Sequence, residues 1–125
     1  MLAEGLIRLG VITQNLDEAL DIKSGQLKDW YMHNTSHWIG LDVHDVGVYL
    51  PDGKPRLLES GMCLTVEPGL YFGAWRPDVV CPERYANIGI RIEDDILVTD
   101  DGPVVLTDKC PKTIDEIEYI IGKTV

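Results

Sequence analysis

Three histidines, His33, His37 and His44, fall within twelve positions of one another. Two glutamates follow on apolar stretches, Glu67 in Thr65-Val66-Glu67-Pro68-Gly69-Leu70-Tyr71 and Glu93 in Gly89-Ile90-Arg91-Ile92-Glu93-Asp94-Asp95. Imidazole nitrogen is a good ligand for divalent transition metals. A carboxylate has two oxygens and a full charge, so it can bridge two such ions. Two metals ~3.5–4 Å apart can share one hydroxide and make it a strong nucleophile near neutral pH. His37, Glu67 and Glu93 therefore read as metal ligands, and the chemistry as metal-dependent hydrolysis. A lone glutamate at a strand end more often faces solvent; two of them beside a histidine cluster shift the balance toward ligation. His33 and His44 suit donation to a substrate carbonyl or stabilisation of a developing oxyanion. Arg91 precedes Glu93 by two residues, on the same face of a regular strand, where it can hold a ligand carboxylate by a charge-assisted bond. Trp38 and Tyr71 adjoin candidate ligands and read as core or pocket wall. Asp42 and Asp45 flank His44, and either orient it or serve as turn residues.

The elements that must position these groups follow from periodicity. Residues 1–12 predict a helix, with Leu2, Leu6, Ile7 and Leu9 at helical spacing and Gly10 near its end. No capping residue precedes it, so the helix looks entered midway, a sign of a truncated parent. Asn15 or Asp17 can cap a short helix through Glu18-Ala19-Leu20. Residues 24–36 read as loop, with a turn of helix before Trp30. From Ile39 the pattern becomes extended, with Val46, Val48 and Leu50 on one face and a turn at Pro51-Asp52-Gly53. A strand over Met62–Glu67 is ended by Pro68-Gly69, and residues 73–87, with Gly73, Pro77 and Pro82, form an irregular loop. Gly89–Glu93 alternates as a strand. Ile96-Leu97-Val98 and Val104-Val105-Leu106 flank a hairpin with an Asp-Gly turn. Residues 113–121 predict an amphipathic helix, with a capping box from Thr113 to Glu116 and Ile117, Ile120 and Ile121 facing inward. The expected class is α+β, with a mostly antiparallel sheet and flanking helices. The strands after residue 45 outnumber what the helices before it can cover. One sheet face therefore awaits helices from elsewhere, and the isolated chain is expected to self-associate or form a homo-oligomer through it.

The bulk numbers are those of one globular domain: 125 residues, 45% hydrophobic and 26% charged. Asp and Glu number 21 against 11 Lys and Arg, which disfavours nucleic acid as a partner. No stretch approaches the ~18 apolar residues of a membrane span, and the N-terminus lacks the basic start of a secretory signal. Cys63, Cys81 and Cys110 have neither zinc-finger nor C-x-x-C spacing and read as reduced thiols, with a cytoplasmic location expected.

At the segment His33–Gly47, with Val66–Tyr71 and Gly89–Asp95, the chain resembles aminopeptidase P (Xaa-Pro aminopeptidase), in the pita-bread metallopeptidase family with prolidase and methionine aminopeptidase. Ser36-His37-Trp38, followed by Leu41-Asp42-Val43-His44-Asp45-Val46-Gly47, points to the aminopeptidase P and prolidase branch, and Trp38 to the former. The resemblance implies a pita-bread (creatinase/aminopeptidase-like) fold. It implies two divalent metal ions, usually manganese, held by two aspartates, one histidine and two glutamates in that order. His37 matches the histidine, Glu67 the first glutamate and Glu93 the bridging one. His33 and His44 match histidines that contact substrate and assist proton transfer, and Arg91 an arginine beside the metals. The implied reaction releases an N-terminal residue from peptides with proline at the second position. Asp17, Asp21 and Asp29, the aspartates before His37, lack the family's Asp-x-Gly surroundings. The resemblance therefore makes residues 1–125 the C-terminal portion of a catalytic domain, inactive alone, with weak or single-metal occupancy. A prolidase fragment and a non-catalytic peptide-binding module are the alternatives. Joint retention of His37, Glu67 and Glu93 argues against the module.

Overall fold

The computed structural model describes residues 1–73 and 78–122. It divides into two units, one of Met1–His33 with Pro68–Arg91, the other of Asn34–Glu67 with Ile92–Val125. The elements are those of an α+β chain whose strands all pair antiparallel.

The first unit opens with α1 (Leu2–Arg8), whose N-cap Met1 makes no side-chain capping bond. Leu9 and Gly10 end it, with Gly10 at φ +71°. Next comes α2 (Leu16–Ala19), capped by Asn15 in a reciprocal box with Glu18. A 3-10 turn at Gln26–Asp29 precedes Trp30, as the sequence predicts. Leu6, Val11, Ile12, Ala19, Trp30 and Phe72 form the core, with the Trp30 and Phe72 rings 5.2 Å apart. In this unit β2 (Gly69–Phe72) pairs with β3 (Ile88–Arg91), Gly69 opposite Arg91 and Phe72 opposite Ile88.

The second unit holds a three-stranded sheet in the order β1 (Cys63–Val66), β4 (Asp94–Thr99), β5 (Gly102–Val105). Beyond it, α3 (Ile114–Ile120) starts from the Thr113–Glu116 capping box. Lys112 reaches Asp94 at 2.9 Å and the Thr107 carbonyl at 2.8 Å, and the Thr107 hydroxyl donates to Asp94 at 2.7 Å. That hydroxyl, and then Lys112, hold the Asp94 carboxyl below its ordinary range. Among the described residues of this unit, the buried ones are both polar: Thr65, 1% exposed, and Glu67, 7% exposed.

Several expectations are corrected. The strand expected over Met62–Glu67 is Cys63–Val66, and it ends before Pro68 as expected, but Gly69 itself opens a second strand, β2. Proline has no N–H to give a ladder, and Pro68 lies between the two strands. The strand expected over Gly89–Glu93 is Ile88–Arg91, so Glu93 lies in a two-residue break before β4, and the regular-strand basis for a shared face of Arg91 and Glu93 falls. No strand forms from Ile39 to Leu50: Val46, Val48 and Leu50 are exposed, and the stretch is tied by isolated bonds, such as Ile39 N–H to the Cys63 carbonyl and Arg56 N–H to the Tyr49 carbonyl, rather than by a ladder. The hairpin turn is Asp100-Asp101, because Thr99 pairs with Gly102 and the glycine becomes the first strand residue. Ile117, Ile120 and Ile121 are 37%, 52% and 73% exposed, not inward-facing. Pro77, part of the expected loop, lies outside the described residues.

Candidate metal centre

The centre is built on β1 and on a segment that runs beside it. The Glu67 N–H donates to the Thr35 carbonyl at 2.7 Å, Thr65 N–H to the His37 carbonyl at 3.0 Å, and Ile39 N–H to the Cys63 carbonyl at 3.1 Å. Trp38 and Leu64 form an antiparallel bridge in the same register. The histidine segment is thereby docked along β1, and this brings His37 to Glu67 although 30 positions separate them. One ligand atom each from His37, Glu67 and Glu93 lies within 4.8 Å of the others. These are the three residues that the sequence singles out as ligands.

The His37 ring is fixed from one side. Its Nδ1 lies 3.1 Å from the Trp38 carbonyl oxygen. A carbonyl only accepts, so Nδ1 carries the proton and Nε2 is left to face Glu67 Oε1 at 3.2 Å. In the neutral ring Nε2 is a lone pair. A lone pair and a carboxylate oxygen so close are reconciled by a proton on Nε2 or by a metal cation bound to both. Nitrogen and carboxylate donors of this kind suit a divalent transition metal, and a ligand histidine normally gives its other N–H to a carbonyl or carboxylate. The residues present therefore fit a metal ion.

The remaining candidates are distributed as follows. His44 is exposed, with its ring edge-on to His37 and the centroids 4.3 Å apart. Asp45 behaves as a turn residue: its carboxylate accepts from the N–H groups of Leu41 and Val46 at 3.0 and 2.8 Å. Trp38 stacks on Tyr49, at 5.4 Å between ring centroids. Gly47 lies against that indole, and a Cβ there would come within 2.2 Å of it. His33 and Arg91 belong to the other unit. There His33 Nε2 is 2.8 Å from the Tyr71 hydroxyl, and Arg91 is exposed at the end of β3.

Sequence reasoning missed a partner of His33 in the first unit and a participant of the centre in the second. Tyr71 is more than a wall, since its hydroxyl engages His33. Thr65 touches both His37 and Glu67. Its signal was available: it precedes Glu67 by two, so a strand puts both side chains on one face.

Comparison with known proteins agrees with this chemistry. Residues 2–100 match the model of metallopeptidase family M24. Xaa-Pro aminopeptidase of Escherichia coli (strain K12) is 48% identical over 121 residues, which is 97% of this chain and 26% of that protein. Among solved structures, the Pseudomonas aeruginosa aminopeptidase PepP superimposes with a TM-score of 0.83 at 45% identity, covering 94% of this chain and 26% of that one. A zinc-substituted E. coli aminopeptidase P in complex with product gives a TM-score of 0.80 at 50% identity, covering 94% and 25%. The chain thus spans about a quarter of the length of these relatives. The similarity extends to the fold, which is that of the aminopeptidase P structures, the pita-bread fold.

Proposed function

Because this chain belongs to metallopeptidase family M24, we propose that it serves an Xaa-Pro aminopeptidase, as the C-terminal portion of the catalytic domain. The observation that carries the reading is the convergence of His37, Glu67 and Glu93 donor atoms within 4.8 Å, in a chain about half identical to such enzymes. Membership of this family implies divalent metal ions. We assign manganese, with His37, Glu67 and Glu93 as three of five ligands and two aspartates supplied from outside these 125 residues. When bound, such ions supply a hydroxide nucleophile and polarise the scissile carbonyl.

The chain's own groups do the rest. The Trp38 carbonyl holds the His37 ring so that Nε2 points at the ion site. His33 and His44 are assigned to the substrate, donating to its carbonyl and moving the proton toward the leaving nitrogen. Arg91 is assigned to charge-assisted support of a ligand carboxylate. The substrates are peptides with proline second, whose scissile bond is a tertiary amide with no N–H. No helix among the described residues is long and apolar enough to cross a membrane, and the cysteines are free. Both features suit a cytoplasmic enzyme.

The test is hydrolysis of an Xaa-Pro-Xaa peptide by this chain, with and without manganese and with and without an upstream segment from a relative. The expected result is no release by the chain alone and metal-dependent release on complementation. Release by the chain alone would overturn the three-of-five assignment. No release in any combination would overturn the peptidase reading.

A further inference from the structure

Thr65 is among the most buried side chains, 1% exposed, on β1 two residues before Glu67. Its Oγ1 accepts the His37 backbone N–H at 3.0 Å. The hydroxyl then keeps its own proton for another acceptor, and Glu67 Oε1 lies 3.1 Å away. The Thr65 backbone N–H meanwhile donates to the His37 carbonyl at 3.0 Å. One residue thus grips the main chain of one metal ligand and the carboxylate of another. A strand that needed only a β-branched side chain here could use valine. The hydroxyl is otherwise costly to bury, and it is fully partnered by the two ligands.

We propose that Thr65 is a positioning residue of the metal centre, its hydroxyl setting the separation of His37 and Glu67 and aiming Glu67 Oε1 at the ion. This rests on the reading of His37, Glu67 and Glu93 as metal ligands. Fixing the carboxylate beforehand removes an ordering cost from metal binding. Loss of such an outer partner typically weakens metal affinity about 10–100-fold.

The experiment is a manganese titration of the chain, followed by the paramagnetic resonance signal of free Mn²⁺, with hydrogen exchange at the His37 amide as a metal-independent readout. It compares the native chain with Thr65→Val and Thr65→Ser. Thr65→Val should bind about 10–100-fold more weakly and lose protection at His37. Thr65→Ser keeps the hydroxyl and should stay within about threefold of the native affinity, well under one decade. Native affinity in Thr65→Val, or equal weakening in both variants, would overturn the proposal while leaving the metal centre intact. No binding by the native chain would overturn the metal centre and this role with it. If Thr65→Val fails to fold, Thr65→Cys replaces it. Its weak S–H donor should give the weaker binding, and native affinity there would overturn the proposal.

Discussion

Gly69 and Tyr71 cannot both keep their places if Gly69 gains a side chain. A Cβ on Gly69 would lie 2.5 Å from the Tyr71 hydroxyl and 2.7 Å from His33 Nε2. Gly69 is itself buried, at the start of β2. The missing side chain is therefore what lets the His33–Tyr71 bond form at 2.8 Å. Gly69→Ala should displace that pair and destabilise the chain by about 1–3 kcal/mol, as overpacking does. Urea denaturation checks the stability, and the His33 ring resonances check the displacement. Unchanged values on both would show that the pair yields freely.

Removing a ligand should act differently from removing its support. His37→Ala deletes Nε2, and the manganese affinity of the chain should fall by more than the roughly 10–100-fold typical of outer partners. Chelation should leave the His37→Ala chain unchanged while altering the native one. Calorimetric titration with Mn²⁺ measures both. Comparable affinities in the two chains would exclude His37 as a ligand.

Glu93→Ala, made in a full-length protein carrying this segment, should abolish Xaa-Pro hydrolysis. Near-normal turnover would remove Glu93 from the bridging role. The readout is initial rate on a proline-second tripeptide at saturating manganese.

The α3 capping box gives a pH dependence. The Thr113 hydroxyl, followed by the Thr113 and Lys112 N–H groups, lowers the Glu116 pKa from its ordinary 4.5. A depressed carboxylate stabilises the folded form above its unfolded value. That contribution is present above about pH 4.5 and is lost as the pH falls through the lowered native value. The amide resonances of Glu116 and Ile117 should therefore shift toward coil only below the ordinary carboxylate range. Thr113→Ala should cost α3 about 1 kcal/mol and move that titration back toward the ordinary carboxylate range, since it removes the largest of the three bonds to Glu116. A transition unchanged in Thr113→Ala would show that the box is not its source.

How much of this was legible in the sequence depends on whether the signal was local. The Thr113–Glu116 box was readable because a cap needs only residues three apart, while the sequence left Asn15 and Asp17 both open as the α2 cap that Asn15 supplies. His37, Glu67 and Glu93 stood out as candidates through their residue types and neighbours. Their convergence was not readable, because it depends on a ladder between Thr35–Ile39 and β1 that mixes side-chain and backbone partners. The apolar run Val46–Leu50 misled for the opposite reason. Alternation marks an extended segment, but a strand also requires a continuous ladder, and this run has only isolated backbone bonds, such as that from the Arg56 N–H to the Tyr49 carbonyl at 2.9 Å. The isoleucines of α3 misled similarly: amphipathic spacing says which face is apolar, not that anything covers it.

That uncovered apolar surface should make the isolated chain self-associate. Val104, Leu106, Ile114, Ile120 and Tyr119 are all exposed in the second unit, and apolar surface gains by leaving water. Light scattering should give a mass that rises with concentration above the monomer's 14.0 kDa. A constant monomeric mass at high concentration would refute this.

The form such association takes is limited by Pro103. The Leu106 N–H bonds the Asp95 carbonyl at 2.8 Å, and antiparallel pairs alternate between bonded and non-bonded. Val98 and Pro103 are therefore a non-bonded pair, and the Pro103 nitrogen faces away from β4. β5 is the outer strand of its sheet. Its free rim thus presents a ring nitrogen where a fourth strand would need a donor. A missing donor there works against extension of this sheet by strand addition, the route by which exposed rims seed fibrils. Association through this unit is therefore steered away from the β5 edge.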